Sequence, residues 1–204
     1  MLTIALPKGR IAQDTLDIFS KIFGETFAFE SRLLQMRCGD FCFLLVRNQD
    51  IPTYVMHGAA DLGVVGLDVL SEHESPVLRL LDLKIGQCKV CVGTVGGAPL
   101  DYTKPQIKIA TKMPNITRKY FSQKAVATQV IKLYGSIELA PLVGLCDGIT
   151  DIVETGETMR QNGLGVSEVI MQSSAFLIAN KNSFVLKKSE ILELYAKLSA
   201  HINC

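Results

Sequence analysis

Residues 147–163 read DGITDIVETGETMRQNG and hold the densest set of groups able to do chemistry. A short apolar run, Ile149 to Val153, meets Glu154-Thr155-Gly156-Glu157-Thr158, and Asn162-Gly163 closes a short polar-faced helix. A strand that enters a tight turn and a helix start points backbone N–H groups, threonine hydroxyls and the positive end of a helix dipole at one place, which suits a phosphate. Gly156 permits a conformation or close approach that a Cβ would hinder. Asp151 and Glu154 could accept hydrogen bonds from the 2′ and 3′ hydroxyls of a ribose, or lie beside a metal. The competing reading is structural: Thr155 caps a helix, and the two carboxylates are capping or solvated groups.

Cations suited to a polyanion are present elsewhere. Lys8 and Arg10 directly follow a first apolar run, Leu2 to Leu6, and a parallel α/β sheet gathers ligands beyond the carboxyl ends of its strands. Both would suit a pyrophosphate or triphosphate, with plain surface solvation as the alternative. Arg32, Arg47, Lys89, Lys112 and Arg118 lie mostly at element ends. Taken singly, each reads as a solvated charge. Asp61 and Asp68 bracket DLGVVGLD, where Asp68 could meet a ligand or cap a helix. The three histidines form no triad order and no zinc spacing. With no activated nucleophile in view, direct transfer fits better than a covalent intermediate.

The elements that must hold these groups alternate. Leu2–Leu6, Phe41–Val46, Asp61–Val65, Leu78–Leu83, Lys89–Val95, Ile107–Thr111, Gln129–Leu133, Ile149–Val153, Val166–Met171 and Phe176–Ala179 read as strands. Helices fall between them: Ile11 to Phe23 with an apolar stripe, a helix from Asp50 with Pro52 in its first turn, one opened by Asn115 or Thr117, one capped by Ser136, and a last one capped by Ser189. The clearest break is Gly96-Gly97-Ala98-Pro99, with Pro105 soon after. The fold class expected is α/β, in two small lobes of mixed sheet with a central cleft. The first lobe spans 1–90 and the second 91–175. The segment 176–204 returns to the first lobe, because a lone final helix needs an apolar partner.

Composition narrows the function classes. The 204 residues are 48% apolar, enough for a sizeable core, and 21 basic against 20 acidic residues leave a net charge of +1. No basic excess marks a nucleic-acid binder. No secretory signal and no membrane span is visible, so a cytoplasmic location is expected. The cysteines, at 38, 42, 88, 91, 146 and 204, do not form a disulfide framework for a chain of this length. Cys88-x-x-Cys91 falls short of the roughly four ligands that zinc needs. Buried thiols in a reducing compartment are the expectation, and no protein metal ligand is assigned.

Four blocks carry a family resemblance. LTIALPKGRI at 2–11, DIPTYVMHGAADLGVVGLDVL at 50–70, KIATKMPNITRKYF at 108–121 and above all GSIELAPLVGLCDGITDIVETGETMRQNGL at 135–164 resemble the short form of ATP phosphoribosyltransferase, the first enzyme of histidine biosynthesis. The resemblance spans nearly the whole chain. It implies a two-lobed, periplasmic-binding-protein-like fold. It also implies condensation of ATP with 5-phosphoribosyl 1-pyrophosphate to N1-(5-phosphoribosyl)-ATP and pyrophosphate, with Mg²⁺ as cofactor. Thr155, Gly156, Glu157 and Thr158 would hold the 5′-phosphate, with Asp151 and Glu154 near the ribose. Lys8, Arg10, Arg32, Arg47 and Lys89 would meet nucleotide or pyrophosphate on the first lobe, and Asp68 and Glu138 complete the expected substrate contacts. Lobe closure would align the reactants. Short members of the family lack the regulatory domain of the long form, and the resemblance implies a regulatory partner similar to histidyl-tRNA synthetase, in a hetero-octamer.

This chain departs from the family pattern at Cys146 and Gly148, where alanine is frequent, and at Glu157, where a basic or neutral residue is frequent. An acid beside a phosphate is unfavourable, so its side chain is expected to point outward. Two other function classes compete. A non-catalytic two-lobed solute- or effector-binding module would call for secretion or an attached DNA-binding segment. A nucleobase phosphoribosyltransferase would share the phosphate turn but not PKGR or DLGVVGLD.

Overall fold

Unbroken apolar runs become buried strands here, and single-stripe segments become the helices that cover them. The computed structural model describes residues 1–30 and 32–203; the last of the six cysteines noted above, Cys204, lies outside the described residues. In chain order the elements are β1 (Leu2–Pro7), α1 (Arg10–Phe23), β2 (Gln35–Cys38), β3 (Phe41–Val46), a 3₁₀ turn (Asn48–Asp50), α2 (Ile51–Met56), β4 (Leu62–Gly66), α3 (Leu67–His73) and β5 (Leu78–Asp82). There follow β6 (Cys88–Val95), β7 (Ile107–Thr111), α4 (Pro114–Gln123), β8 (Thr128–Lys132), α5 (Leu139–Leu142), β9 (Gly148–Val153) and α6 (Glu157–Gln161). The chain ends with β10 (Leu164–Ser173), β11 (Ala175–Ala179), α7 (Lys181–Leu186) and α8 (Lys188–Ile202). They form two compact units, Met1–Gly86 with the chain from Ser174 onward, and Gln87–Ser173.

The first unit is a six-stranded mixed sheet in the order β2-β3-β1-β4-β11-β5. β1 runs parallel to both β3 and β4, so all three present their carboxyl ends on one edge. Its core is aromatic. Phe19 of α1 is fully buried, with the rings of Phe23, Phe27, Phe41 and Phe43 centred 5.2 to 5.9 Å away. Ile191, Leu194 and Leu198 of α8 join the same core.

The second unit is a five-stranded sheet in the order β10-β6-β9-β7-β8. β7 is parallel to β8 and β9, while β6 is antiparallel to β9 and β10. α4 is held at both ends. Thr111 Oγ1 accepts the Met113 N–H at 2.9 Å ahead of the helix, and Pro114 opens it. Near its end, Tyr120 and Lys124 donate to the Glu168 carboxylate on β10, as does Tyr102 from the preceding loop.

Several boundaries differ from expectation. The first unit's opening segment ends at Gly86, with Lys84 and Gly86 both at positive φ, so Lys89 lies in β6 of the second unit instead of closing the first. Ser136 does not cap α5: it has φ 48 in the turn before it, and Glu138 is the N-cap residue. Ser189 lies inside α8, and a separate α7 precedes it. Asn180 caps α7, its side chain accepting the Asn182 and Ser183 N–H groups while donating to the carbonyls of Val55 and Met56. β2 is a four-residue edge strand that alternates exposed and half-buried positions, Met36 and Cys38 packing against the core, and it is too short for the pattern to stand out in sequence. The five described cysteines carry no disulfide, and Cys42, Cys91 and Cys146 are buried.

Asp61, noted above as a bracket of DLGVVGLD, is structural. Its Oδ2 accepts the Thr3 N–H at 2.9 Å and Lys187 Nζ at 2.7 Å, tying β1 to the start of α8. Burial alone would push this carboxyl up, but hydrogen bonds from Lys187, Thr3 and Ser183 outweigh it and hold the group below its usual range. A depressed carboxylate stabilises the fold above its unfolded pKa and loses that contribution as pH falls through the folded value. Asp61→Asn is therefore expected to cost about 1–3 kcal/mol at neutral pH. The difference from the parent protein should shrink in acid. Urea melts at several pH values measure it, and a difference that stays constant into acid would exclude this role.

Candidate functional site

β9 lies in the middle of the second sheet, between an antiparallel neighbour and a parallel one. Its carboxyl end therefore sits among the exits of β7 and β8 and the start of β6. After Val153 the chain turns through Glu154, Thr155 and Gly156 into α6. Gly156 has φ 78 and ψ 1, the left-handed region, which only glycine enters without cost. A Cβ there would meet only Val153 Cγ1, at 3.7 Å, so conformation and not space calls for glycine. The Thr155 hydroxyl accepts the Glu157 N–H at 3.4 Å, and the Asn162 amide donates to the Thr158 carbonyl at 2.9 Å. Thr155, Glu157 and Thr158 are exposed.

α6 is anchored from below by Met159, 4% exposed, which packs with Cys91, Ile149, Val153 and Leu164. Gly93 makes room for it: a Cβ at that position would come within 3.1 Å of Met159 Cε and Sδ. Glu157 turns its carboxylate along the helix, accepting from Arg160 and, at 3.1 Å, from Gln161.

Asp151 is half-buried and accepts its neighbour's N–H, from Ile152, at 2.9 Å. Burial pushes its carboxyl above the usual range; the Ile152 N–H and Lys112 pull it back, and Glu138 adds to the upward push. Glu138, half-buried at the start of α5, thus shares the electrostatic environment of Asp151. Lys89 pairs with Val153 across the β6–β9 ladder, one residue from Glu154, and both Lys89 and Glu154 are exposed. Lys112, which sequence spacing left as one scattered charge, follows β7 where Thr111 pairs with Thr150. Its signal was its place directly after a strand; the pairing of that strand with β9 was not readable.

In the first unit, Pro7 pairs with Val46, so Lys8 and Arg47 leave β1 and β3 side by side. Both are exposed, and the Lys8 N–H bonds to the Val46 carbonyl at 3.1 Å. Arg10 opens α1 and lies 4.0 Å from Asp14. Asp68 follows β4 on the same edge but is buried in the first turn of α3. Arg32 is exposed ahead of β2, whose approach is tied to β3 by the Leu45 N–H and the Leu34 carbonyl. The predicted residues thus fall into two groups, each on the carboxyl edge of one unit's parallel strands.

Among the described residues no three His, Cys, Asp or Glu groups gather as a metal cage, and no helix is long and apolar enough to cross a membrane.

Comparison with known proteins adds a family. A family model described as HisG, ATP phosphoribosyltransferase, matches residues 47–200. A protein of Campylobacter fetus subsp. fetus named ATP phosphoribosyltransferase is 68% identical over 203 residues, covering 100% of both chains. One of the same name from Wolinella succinogenes is 65% identical over 199 residues, covering 98% of this chain and 97% of its own. Among solved structures, a chain of the ATP phosphoribosyl transferase (HisG:HisZ) complex from Thermotoga maritima superposes with TM-score 0.84 at 33% identity, covering 100% of this chain and 99% of that one. The periplasmic aliphatic sulphonate binding protein SsuA from Escherichia coli superposes with TM-score 0.64 at 14% identity, covering 98% and 72%, a likeness of fold alone.

The backbone at Gly156 yields a direct check. Gly156→Ala should lower stability by about 1–2 kcal/mol, and Gly156→Asn by less, because asparagine tolerates the left-handed region. Denaturant midpoints of the two variants measure this; equal losses would mean that the turn does not hold φ near 78.

Proposed function

The chain belongs to the ATP phosphoribosyltransferase family, and we propose that within it the turn at Gly156 seats the 5′-phosphate of phosphoribosyl pyrophosphate. The activity is the family's own: ATP and 5-phosphoribosyl 1-pyrophosphate give N1-(5-phosphoribosyl)-ATP and pyrophosphate, the first step of histidine biosynthesis. The observation that carries the residue assignment is one continuous piece of chain. A central strand carries a half-buried carboxylate, Asp151, two residues before its end, and the turn that follows bends at a left-handed glycine between exposed Thr155 and Thr158. In this proposal Thr155, Gly156 and Thr158 bind the phosphate, Glu157 contributes through its backbone, and Asp151 and Glu154 accept from the ribose hydroxyls. Glu138 is proposed to border the same site.

The chemistry asks little of a base. Adenine N1 carries a lone pair and has no proton to lose, so it attacks C1 directly. The new N–C bond forms as the C1–O bond to pyrophosphate breaks, with positive charge carried on the ribose ring. What the protein must supply is orientation and cations for the departing anion. Lys89, exposed and paired with Val153, is proposed to do this in the second unit. Lys8, Arg10, Arg32 and Arg47 are proposed to bind nucleotide or pyrophosphate oxygens in the first, with Asp68 on the same edge as a further proposed substrate contact.

Mg²⁺ fits this site as a companion of the substrate. It is commonly held by one or two carboxylates with phosphate oxygens and water, and Asp151 and Glu154 are the carboxylates at hand. Bound there, it would neutralise charge on the pyrophosphate. The 33% identical Thermotoga maritima chain was solved in a HisG:HisZ complex. On that support we extend to this chain a regulatory subunit of the same kind, resembling histidyl-tRNA synthetase, in a hetero-octamer, and a cytoplasmic location.

Incubation with ATP, phosphoribosyl pyrophosphate and Mg²⁺, with and without the partner, should yield the adenine-N1 adduct. Thr158→Ala should weaken phosphoribosyl pyrophosphate binding by about 1.5–3 kcal/mol, the worth of one charge-assisted hydrogen bond. Calorimetric titration measures it, and unchanged affinity would move the phosphate away from this turn.

A further inference from the structure

None of the proposed substrate contacts lines one cavity of the first unit. It measures about 390 Å³ and lies at the amino ends of β1 and β3, where Leu2 pairs with Phe41. Lys8 and Arg47 leave the opposite ends of the same two strands. The six residues of β1 put about 20 Å between the two edges. A cavity of this volume is the size of a small-molecule site.

Its floor is apolar and largely aromatic. Leu2, Phe27, Phe41 and Leu194 are buried, and Phe23 is half-buried at the end of α1. The Phe23 and Phe41 rings are centred 5.0 Å apart. The rim is acidic. Glu190 and Glu193 line it from α8, Asp40 from the β2–β3 turn, and Glu25 from the loop after α1. The Asp40 carbonyl accepts the Leu2 N–H at 2.8 Å, which fixes that turn beside the cavity. The rim's cations are Lys197 and the Met1 amino group, so carboxylates outnumber them four to two.

Two observations indicate what such a cavity takes. Lys197 Nζ pairs with Glu193 at 2.8 Å and stands 4.9 Å from the centre of the Phe23 ring. One wall therefore already seats an ammonium between a carboxylate and a ring face, and both attract it. The carboxylates also stand apart: among the described residues no three His, Cys, Asp or Glu groups gather closely enough to hold a metal ion. A bare divalent cation has no cage here. A larger cation can meet the rim with its charge and the floor with its body.

We propose that this cavity binds an organic ammonium ion, a protonated primary amine carried on an aromatic or aliphatic body. The ammonium meets Asp40 and Glu25 at the rim, and the body covers the Phe23 and Phe41 rings. A neutral ligand gains the floor alone, and an anion meets the excess of carboxylates. The site does not depend on which residues hold phosphoribosyl pyrophosphate.

The test is titration of the full chain, with no tag ahead of Met1, by benzylammonium chloride, followed by calorimetry and amide NMR shifts. Shifts are expected at Gly39, Asp40 and Glu190 and not at Lys8 or Arg47. Benzyl alcohol keeps the ring without the charge, and methylammonium the charge without the ring; each should bind at least about threefold more weakly. Phenylacetate should bind more weakly than either. Glu25, Asp40 and Lys197 are exposed, so their variants keep the fold. Glu25→Gln and Asp40→Asn should each weaken benzylammonium binding about two- to fivefold, the range of one exposed ion pair. Lys197→Met removes a competing cation from the Phe23 ring and should strengthen binding by a similar factor. Benzyl alcohol binding as tightly as benzylammonium, both carboxylate variants matching the parent, or shifts confined to the Lys8 edge would each overturn the proposal. So would the absence of saturable binding up to about 10 mM.

Discussion

Thr111 donates its hydroxyl to the Thr150 carbonyl and accepts the Met113 N–H, which pins the last residue of β7 against β9 three residues before β9 ends. The group is fully buried, where an unmade hydrogen bond is costly. Everything that works at the second unit's edge inherits its position from this tie. β9 cannot slide against β7 without breaking it, and a slip of one residue would turn Asp151 to the opposite face of the sheet. The same hydroxyl fixes where the chain bends into α4, and Pro114 is preorganised for the helix start that follows. Glu168 completes the hold by collecting Tyr120 and Lys124 near the other end of the helix. A rigid α4 start leaves the two-residue step from Thr111 to Met113 little freedom.

A net charge of +1 gives no hint of this arrangement, because the cations are local. Lys8 and Arg47 stand side by side at one edge, and Lys89 and Lys112 flank β9 at the other. In each case parallel or antiparallel register does the gathering, from positions far apart in sequence. Cations collected in this way suit a substrate that brings a polyanion to a strand's end. They need not attract nucleic acid, which would call for a continuous basic face.

Local pattern carried much of the fold into view. The stripe of α1, the runs in β3, β7 and β9, and the glycine at the turn are all readable, because each depends on residues close in sequence. β2 was not readable, since an alternation only four residues long does not stand out from its surroundings. α7 was hidden by its length, and its cap, Asn180, shows its value only through bonds to α2 more than a hundred residues away. The site divides in the same way. The proposed phosphate contacts Thr155, Gly156 and Thr158 announce themselves by spacing. Lys112 and the structural use of Asp61 depend on pairings that spacing does not encode, and Lys89 changed units because two positive-φ residues, Lys84 and Gly86, turn the chain just before it.

Glu157 argues most directly against a phosphate at this turn, since an acid in the first turn of a helix competes with an anionic ligand for the same amides. Its side chain resolves the conflict locally. The carboxylate is drawn toward the helix's far end by Arg160 and Gln161, one a full charge and one a donor. Exposed pairs of this kind add little to stability. Their effect here is direction: the negative charge is held one helical turn away and partly neutralised, and only the backbone of Glu157 remains at the turn. Repulsion between exposed charges falls with distance and screening, whereas backbone N–H groups act at contact. A turn that binds through its backbone can therefore carry an acid at this position, provided that a cation stands three residues further along the helix.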